Sequence, residues 1–175
     1  MERIDIYDSD RRPTGRTAGS PKELADREYR LVIHLCLFNS RGEMLIQRRR
    51  DSCARWPGRW DVSVRGCADT GETGREAAMR EAREELGLDL DLTGLRPALT
   101  VSFPHGFDEL FLVEAELDPA ALTLQESEVA AVRWAGEEEI LRLRESGQFT
   151  PFHPEYLHLL FRMFRTRDVM ENDAN

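Results

Sequence analysis

Lysine is nearly absent from this chain of 175 residues, since Lys22 is the only one and the other basic residues are arginines. Positive charge is scarce overall, because 24 Lys and Arg stand against 33 Asp and Glu and give a formal net charge of -9. Nucleic-acid-binding proteins usually present a basic surface, so this balance argues against nucleic acid as the main partner. The sequence also lacks an apolar run long enough to span a membrane and an apolar signal region. We therefore expect a cytoplasmic protein without a membrane partner.

Cysteine is also scarce, with Cys36, Cys53 and Cys67 and no CxxC spacing. An odd number without metal-ligand spacing argues against a disulfide framework and against a zinc site. The hydrophobic fraction of 41% is typical of a globular protein, and the length suits one domain, 1–175, that can bury a core without disulfides.

The hydrophobic pattern predicts short strands that alternate with helices. We expect strands at 3–7, 31–38, 44–46, 60–64, 99–103, 110–117 and 129–134, and helices at 72–86, 137–145 and 154–167. Residues 8–15 are predicted to be rich in turns, 51–59 to form a loop and 171–175 to fray, so that 1–29 would hold an N-terminal strand and turn. This pattern favours one α/β domain with a mixed sheet covered by helices.

The predicted helix 72–86 carries a cluster of glutamates. Glu81 is three residues from Glu84 and four from Glu85, so all three project from one helical face. Several carboxylates close to a glycine turn at Gly66 are the kind of ligand set that Mg²⁺ prefers. A solvated acidic face, with Arg80 paired to its neighbours, explains the helical spacing equally well.

The full spacing of residues 66–88 separates these two interpretations. It matches the pattern G-x5-E-x7-R-E-U-x-E-E-x-G-U, in which U is a large aliphatic residue, except that Ala82 occupies the first U position. This segment resembles the signature box of the Nudix hydrolases. The resemblance implies a Nudix-type α/β/α sandwich with a central mixed sheet.

The resemblance also implies residue roles. Glu81, Glu84 and Glu85 would bind Mg²⁺, or Mn²⁺ as the alternative ion, together with the carbonyl oxygen of Gly66. Glu84 and Glu85 are therefore also predicted to be catalytic. A second implied feature is an ion pair, Glu72 with Arg80, that holds the loop on the helix.

The segment before the box narrows the family. Residues 48–49 and 56–64 resemble the Nudix branch that contains isopentenyl-diphosphate isomerase and its hydrolase relatives. The isomerase needs a cysteine before the box glycine and a histidine after it, and here those places hold Arg65 and Cys67. Because proton transfer needs an acid and a base within reach of the substrate carbon, the sequence favours hydrolysis over isomerisation.

Three arginines are predicted to bind the substrate. Arg49 matches a position that contacts the diphosphate in this branch, and a guanidinium can hold phosphate oxygens in a bidentate way. Cys53 replaces the lysine of the isomerases, so Arg55 could take over that contact, and Arg65 joins the set. A solvated strand end remains the alternative for at least one residue of 48–50.

Glu109 corresponds to a further acidic ligand in the isomerase branch and is predicted to be catalytic, either at the metal or as the base. A plain edge-strand carboxylate is the alternative, and Glu126 and Glu128 are rival candidates for the base. His34 lies in an apolar strand and is interpreted as a satisfied core histidine. His105 sits in a turn that could border the substrate.

These features predict a Mg²⁺-dependent hydrolase of a diphosphate linkage in a nucleoside diphosphate derivative or a related organic diphosphate. The alternatives are an isopentenyl-diphosphate isomerase and a non-catalytic nucleotide-binding Nudix module. The expected partner is the small-molecule substrate, and the oligomeric state stays open, a homodimer included.

Overall fold

The apolar run 31–38 forms the central strand of the sheet. A computed structural model describes residues 3–166, so the predicted frayed end, 171–175, lies outside the described residues. The strands are β1 (Ile4–Tyr7), β2 (Pro13–Ala18), β3 (Arg30–Phe38), β4 (Met44–Arg49), β5 (Trp60–Asp61), β6 (Val64–Cys67), β7 (Leu99–Phe103), β8 (Gly106–Glu114) and β9 (Val129–Ala135). The α-helices are α1 (Gly74–Leu86), α2 (Glu137–Glu145) and α3 (Pro154–Thr166).

The main sheet is mixed, and it splits between strands β3 and β4. β3 pairs with β8 in parallel over its whole length, and β7 follows β8 in antiparallel orientation. β3 meets β4 only where Phe38 faces Met44. Beyond that point β6 pairs with β3, whereas β5 and β9 pair with β4. A cleft therefore lies between two diverging halves of the sheet.

Helices cover both faces of this sheet because the side chains of β3 alternate between them. Ile33, Leu35 and Leu37 pack with the small residues Ala78 and Ala82 of α1. The opposite face, with Cys36 and Phe38, packs against α2 and α3. The predicted α/β/α sandwich with a central mixed sheet is confirmed.

Two predictions for strands were wrong. The stretch 8–15, predicted as turns, holds the start of β2, which pairs with β1 through an irregular register that tolerates Pro13 at an edge. The single strand predicted at 60–64 is two strands, because Ser63 interrupts the pairing. Its hydroxyl accepts from the Leu37 N–H at 2.8 Å and donates to the Leu45 carbonyl at 2.5 Å. The chain thus crosses between the two halves there.

The predicted boundaries of α1 and β8 also shift. Helix α1 begins at Gly74 rather than at residue 72, since Thr73 is its N-cap and forms a capping box with Glu76. Strand β8 runs over Gly106–Glu114 rather than 110–117, because its register along β3 starts at Gly106. The helix predicted over 154–167 begins as expected and is described to Thr166. Among residues 3–166, no helix is long and apolar enough to cross a membrane.

Candidate active site

Helix α1 turns two of its three predicted glutamates inward. Glu85 is only 2% exposed and accepts a hydrogen bond from Gln47 Nε2 at 2.9 Å. Glu81 lies against Gly66, so closely that a Cβ added there would fall 2.1 Å from Glu81 Oε1. Glu84 keeps 47% of its side chain exposed and pairs with Arg80 at 3.1 Å. The predicted common face therefore divides into an inner pair, the buried Glu85 and the partly buried Glu81, and an outer carboxylate, Glu84.

The two buried carboxylates are poorly neutralised. Burial raises the pKa of Glu81 to about 7, although Arg80 opposes the shift. Burial, followed by the charge of Glu81, raises the pKa of Glu85 to about 8 against the hydrogen bond from Gln47. The charge of Glu128 raises the pKa of both glutamates further. The site therefore has an excess of negative charge that a cation would balance.

Arg80 ties the loop before α1 to the helix. Its Nε and Nη2 atoms donate to the two carboxylate oxygens of Glu72 at 2.8 and 3.0 Å, which makes the ion pair bidentate. Nη2 also donates to the Cys67 carbonyl at 2.9 Å, and Nη1 lies 3.0 Å from Glu81. This guanidinium is shared among several carboxylates, so it cannot neutralise Glu81 alone.

The donors around Gly66 suit a hard divalent cation. Carboxylate oxygens are the side-chain ligands that Mg²⁺ and related ions take, and here two of them are buried with raised pKa values. Within residues 3–166, no three His, Cys, Asp or Glu side chains already surround one point, because Glu84 is turned toward Arg80. Glu81 and Glu85 thus form the inner part of the candidate metal site.

Gly66 also lines a basic cleft, which lies between the diverging strands β3 and β4. Its cavity of about 220 Å³ is lined by the residues Arg30, Val32, Arg49, Arg55, Trp56, Arg65, Gly66 and Cys67. Arg49 Nε donates to the Arg55 carbonyl at 3.0 Å, which fixes the direction of its guanidinium. The three predicted substrate-binding arginines are thus brought together. Local sequence patterns do not indicate Arg30, because the strand pairing that places it beside the cleft is not local.

A second cavity of about 510 Å³ adjoins the basic cleft and shares Arg30, Val32, Arg55 and Arg65 with it. We call it the aromatic cavity, since Phe103, Phe152 and Tyr156 also line it, with His34, His105 and Asp108 among its other lining residues. His34 is buried, as predicted, and its Nδ1 lies 2.6 Å from Asp108 Oδ2. The expectation of a satisfied histidine holds only for one nitrogen, because Nε2 has no partner among the described residues.

The structure does not bring Glu109 to the other predicted catalytic residues. Its carboxylate lies against Gly74, where an added Cβ would fall 2.1 Å from Oε2. Gly74 precedes Glu81 by seven residues, or about 10 Å of helix at 1.5 Å per residue. Glu109 lines a separate cavity of about 750 Å³ together with Tyr7 and Arg11. The rivals Glu126 and Glu128 are both exposed in the turn before β9, and of the two only the charge of Glu128 is among the causes that raise the pKa values of Glu81 and Glu85.

The chain is similar in sequence to a known family model and to several known proteins. The NUDIX domain model matches residues 28–160. The "Uncharacterized Nudix hydrolase lmo0368" of Listeria monocytogenes is 41% identical over 93% of this chain and 95% of its own length. An isopentenyl-diphosphate Delta-isomerase of Escherichia coli is 32% identical over 81% of this chain and 80% of its own. The predicted likeness to that branch is confirmed.

The solved structure of DR0079 from Deinococcus radiodurans superposes with a TM-score of 0.74 and 26% sequence identity. The match covers 94% of this chain and 100% of DR0079. Similarity in sequence and in fold thus extends over nearly the whole molecule. The chain therefore belongs to the Nudix family and is an enzyme of its pyrophosphohydrolase class.

Proposed function

We propose that this protein hydrolyses a diphosphate bond in a nucleoside diphosphate derivative or a related organic diphosphate, with Mg²⁺ as its cation. One observation carries the proposal. Gly66 touches the carboxylate of Glu81 and also lines the basic cleft. A cation-binding acidic site and an anion-binding basic site therefore share one residue, and a metal-bound diphosphate needs both at that spacing.

The arginines bind and orient the diphosphate in this proposal. Arg49, Arg55 and Arg65 present guanidinium groups that can each donate two parallel hydrogen bonds to phosphate oxygens. Arg30 extends this positive wall toward the aromatic cavity. Because the guanidinium charge persists at every relevant pH, substrate binding does not depend on the protonation of this wall.

The glutamates serve the bond-breaking step. Glu81, Glu84, Glu85 and the Gly66 carbonyl would hold the cation, which when bound supplies charge neutralisation and polarises the phosphorus–oxygen bond. A water oxygen bonds to phosphorus as the bridging phosphorus–oxygen bond breaks, and a carboxylate takes the water proton. We assign that proton to Glu128, since its charge acts on both Glu81 and Glu85. The products are a monophosphate and a second phosphate fragment.

A panel of nucleoside di- and triphosphates, dinucleotides, sugar nucleotides and isoprenoid diphosphates tests the proposal. We expect phosphate-bearing products from at least one nucleotide with Mg²⁺, and no turnover after a chelator removes divalent ions. Turnover that persists in the chelator would overturn the cation's role. Absence of turnover across the panel would overturn hydrolysis.

Isomerisation is the second candidate, supported by the 32% identity with an isopentenyl-diphosphate Delta-isomerase. The residues of this chain favour hydrolysis. Arg65 occupies the place of the isomerase cysteine, and a guanidinium does not give up a proton at ordinary pH. Burial raises the pKa of the Cys67 thiol, so that thiol stays protonated. Conversion of isopentenyl diphosphate to dimethylallyl diphosphate without phosphate release would establish the isomerase instead.

A further inference from the structure

Three residues that line the aromatic cavity each hold a buried polar atom without a hydrogen-bond partner among the described residues. Arg30 Nε is a donor on the wall shared with the basic cleft, whereas His34 Nε2 and Asp108 Oδ1 lie deeper along the strands. His34 is 3% exposed and Asp108 8% exposed, and both residues line the cavity. A buried carboxylate oxygen without a donor is costly, and such groups in folded proteins usually serve a ligand or a function.

The pairing within the dyad fixes what these atoms can offer. His34 Nδ1 lies 2.6 Å from Asp108 Oδ2 and 3.3 Å from the hydroxyl oxygen of Tyr156. An ionised carboxylate can only accept, so its close approach favours a proton on Nδ1. A neutral imidazole with its proton on Nδ1 presents a lone pair at Nε2. Val32 pairs with Asp108 in parallel register, and His34 lies two residues after Val32. The side chains of His34 and Asp108 are therefore on the same face of the sheet. The dyad therefore presents two acceptors and needs a ligand that donates.

The rest of the cavity suits a flat ring attached to a diphosphate. Phe103 and Phe152 line its walls, and the Arg65 guanidinium lies 5.8 Å from the centre of the Phe152 ring. The volume of about 510 Å³ falls within the usual range for small-ligand sites. Arg30, Arg55 and Arg65 form the wall shared with the basic cleft. A ligand can thus keep its phosphates on the arginines while its ring enters the aromatic cavity.

We infer that His34 and Asp108 are specificity-determining residues that bind the amino group of a nucleobase in the aromatic cavity. The inference rests on the proposed diphosphate hydrolysis for the position of the phosphates. An adenine or cytosine ring offers an exocyclic amino group to the two acceptors. A hypoxanthine or uracil ring offers a carbonyl oxygen at the same place, which would face Asp108 Oδ1 without a proton between them.

Matched nucleotide pairs test the inference without relying on turnover. Calorimetry would measure the binding of ADP against IDP, and of CDP against UDP, to the wild-type protein with Mg²⁺, with each nucleotide supplied as its α,β-methylene analogue so that the ligand is not consumed. We expect the amino member of at least one pair to bind about tenfold more tightly, as for a hydrogen bond to a buried charged group. Equal affinity within both pairs, or no binding of any of the four, would overturn the inference.

The substitution Asp108→Asn provides a sharper readout. The asparagine side chain would still accept from His34 Nδ1–H through its oxygen but would present an amide N–H₂ to the ligand, so the preference should reverse toward IDP and UDP. Phe103→Leu, a change in the same cavity away from the contact between His34 and Asp108, should weaken the binding of both members alike and retain the preference for the amino member. Thermal denaturation would verify that Asp108→Asn is folded. If this folded variant still prefers ADP and CDP, the assignment is contradicted.

Failure of this inference is distinguishable from failure of the proposed function. Phosphate release from the wild-type protein at equal rates within each nucleotide pair would remove the dyad's role and leave hydrolysis standing. Binding that prefers the amino-bearing nucleotides without any phosphate release would support the role of the dyad and overturn the proposed hydrolysis.

Discussion

Two carboxylates in this molecule lie against a glycine in the same way, yet their surroundings differ. Glu81 meets Gly66 and Glu109 meets Gly74, each so closely that an added Cβ would fall 2.1 Å from a carboxylate oxygen. The buried Glu85 lies one helical turn from Glu81. Gly66 also lines a cleft that contains four arginines. Glu109 is half-buried, and burial raises its pKa while the charge of Arg11 opposes that rise.

The comparison shows that cavity size alone does not locate the chemistry. The cavity beside Glu109 measures about 750 Å³, against about 220 Å³ for the basic cleft. The cavity beside Glu109 also has acidic residues and arginines in its lining, among them Asp5, Glu72 and Arg75. The Gly66 side differs in its pair of carboxylates, Glu81 and Glu85, whose pKa values burial raises to about 7 and about 8.

The largest expected effect is on turnover. Glu85→Gln should lower kcat for diphosphate hydrolysis at least about a hundredfold, because even changes in the partners of metal ligands commonly cost 10- to 100-fold. Glu109→Gln, the matched change at the other contact, should leave kcat within about threefold. Steady-state phosphate release measures both. A loss in Glu109→Gln as large as that in Glu85→Gln would place Glu109 in the site after all.

Stability of the metal-free protein should depend on pH through the same glutamate. The folded pKa of Glu85 is about 8 against an ordinary 4.5, so the folded state keeps a proton that the unfolded state has released. Stability is then fully present below about pH 4.5 and falls as pH rises toward 8, on the order of a few kcal/mol. Glu85→Gln should flatten this decline in chelator-treated protein, as measured by urea unfolding at several pH values. An unchanged slope would show that Glu85 titrates normally.

The glycine contacts provide a matched pair of variants. Gly66→Ala should displace the Glu81 carboxylate and lower kcat about thirtyfold, within the range that the loss of about 2 kcal/mol of transition-state stabilisation produces. Gly74→Ala meets the same steric conflict with Glu109 and should leave kcat nearly unchanged. Thermal denaturation would verify that both variants fold. Equal kinetic effects would mean that the two contacts are functionally equivalent.

The smallest of these effects concerns substrate binding. Arg49→Ala should raise KM about tenfold, since a charge-assisted hydrogen bond to phosphate is lost. Arg49→Lys should restore part of the affinity, because an ammonium keeps the charge without the bidentate geometry. Arg11→Ala, in the cavity beside Glu109, should leave KM unchanged. Saturation kinetics on one diphosphate would separate these outcomes, and a rise in KM confined to Arg11→Ala would reverse the assignment of the two cavities.

Local sequence spacing predicted the parts of the site that lie on one stretch of chain. The family resemblance implied the ion pair of Glu72 with Arg80, and the structure contains it. The spacing of Glu81 and Glu85 likewise placed them on one face. Even here the sequence did not predict that Glu84 would turn outward, since that depends on competition for Arg80.

Local sequence patterns do not predict contacts between strands that lie far apart in the sequence. His34 and Asp108 are adjacent only because β3 and β8 pair in parallel with Val32 opposite Asp108. Glu109 was grouped with the box glutamates because family likeness indicates an acidic residue there, whereas the register of β8 places it by Gly74. Arg30 joins the cleft because β3 and β4 diverge after a single pairing. Each of these depends on strand order and register, which the sequence does not encode locally.

The most direct test of the central claim is cation-dependent stabilisation of metal-free protein, because it does not require the substrate to be known. Thermal denaturation with increasing Mg²⁺ should raise the Tm of the wild type and of Glu109→Gln by several degrees. The same titration should leave Glu85→Gln unchanged. Stabilisation that survives in Glu85→Gln but disappears in Glu109→Gln would contradict the account and move the metal site to the other glycine.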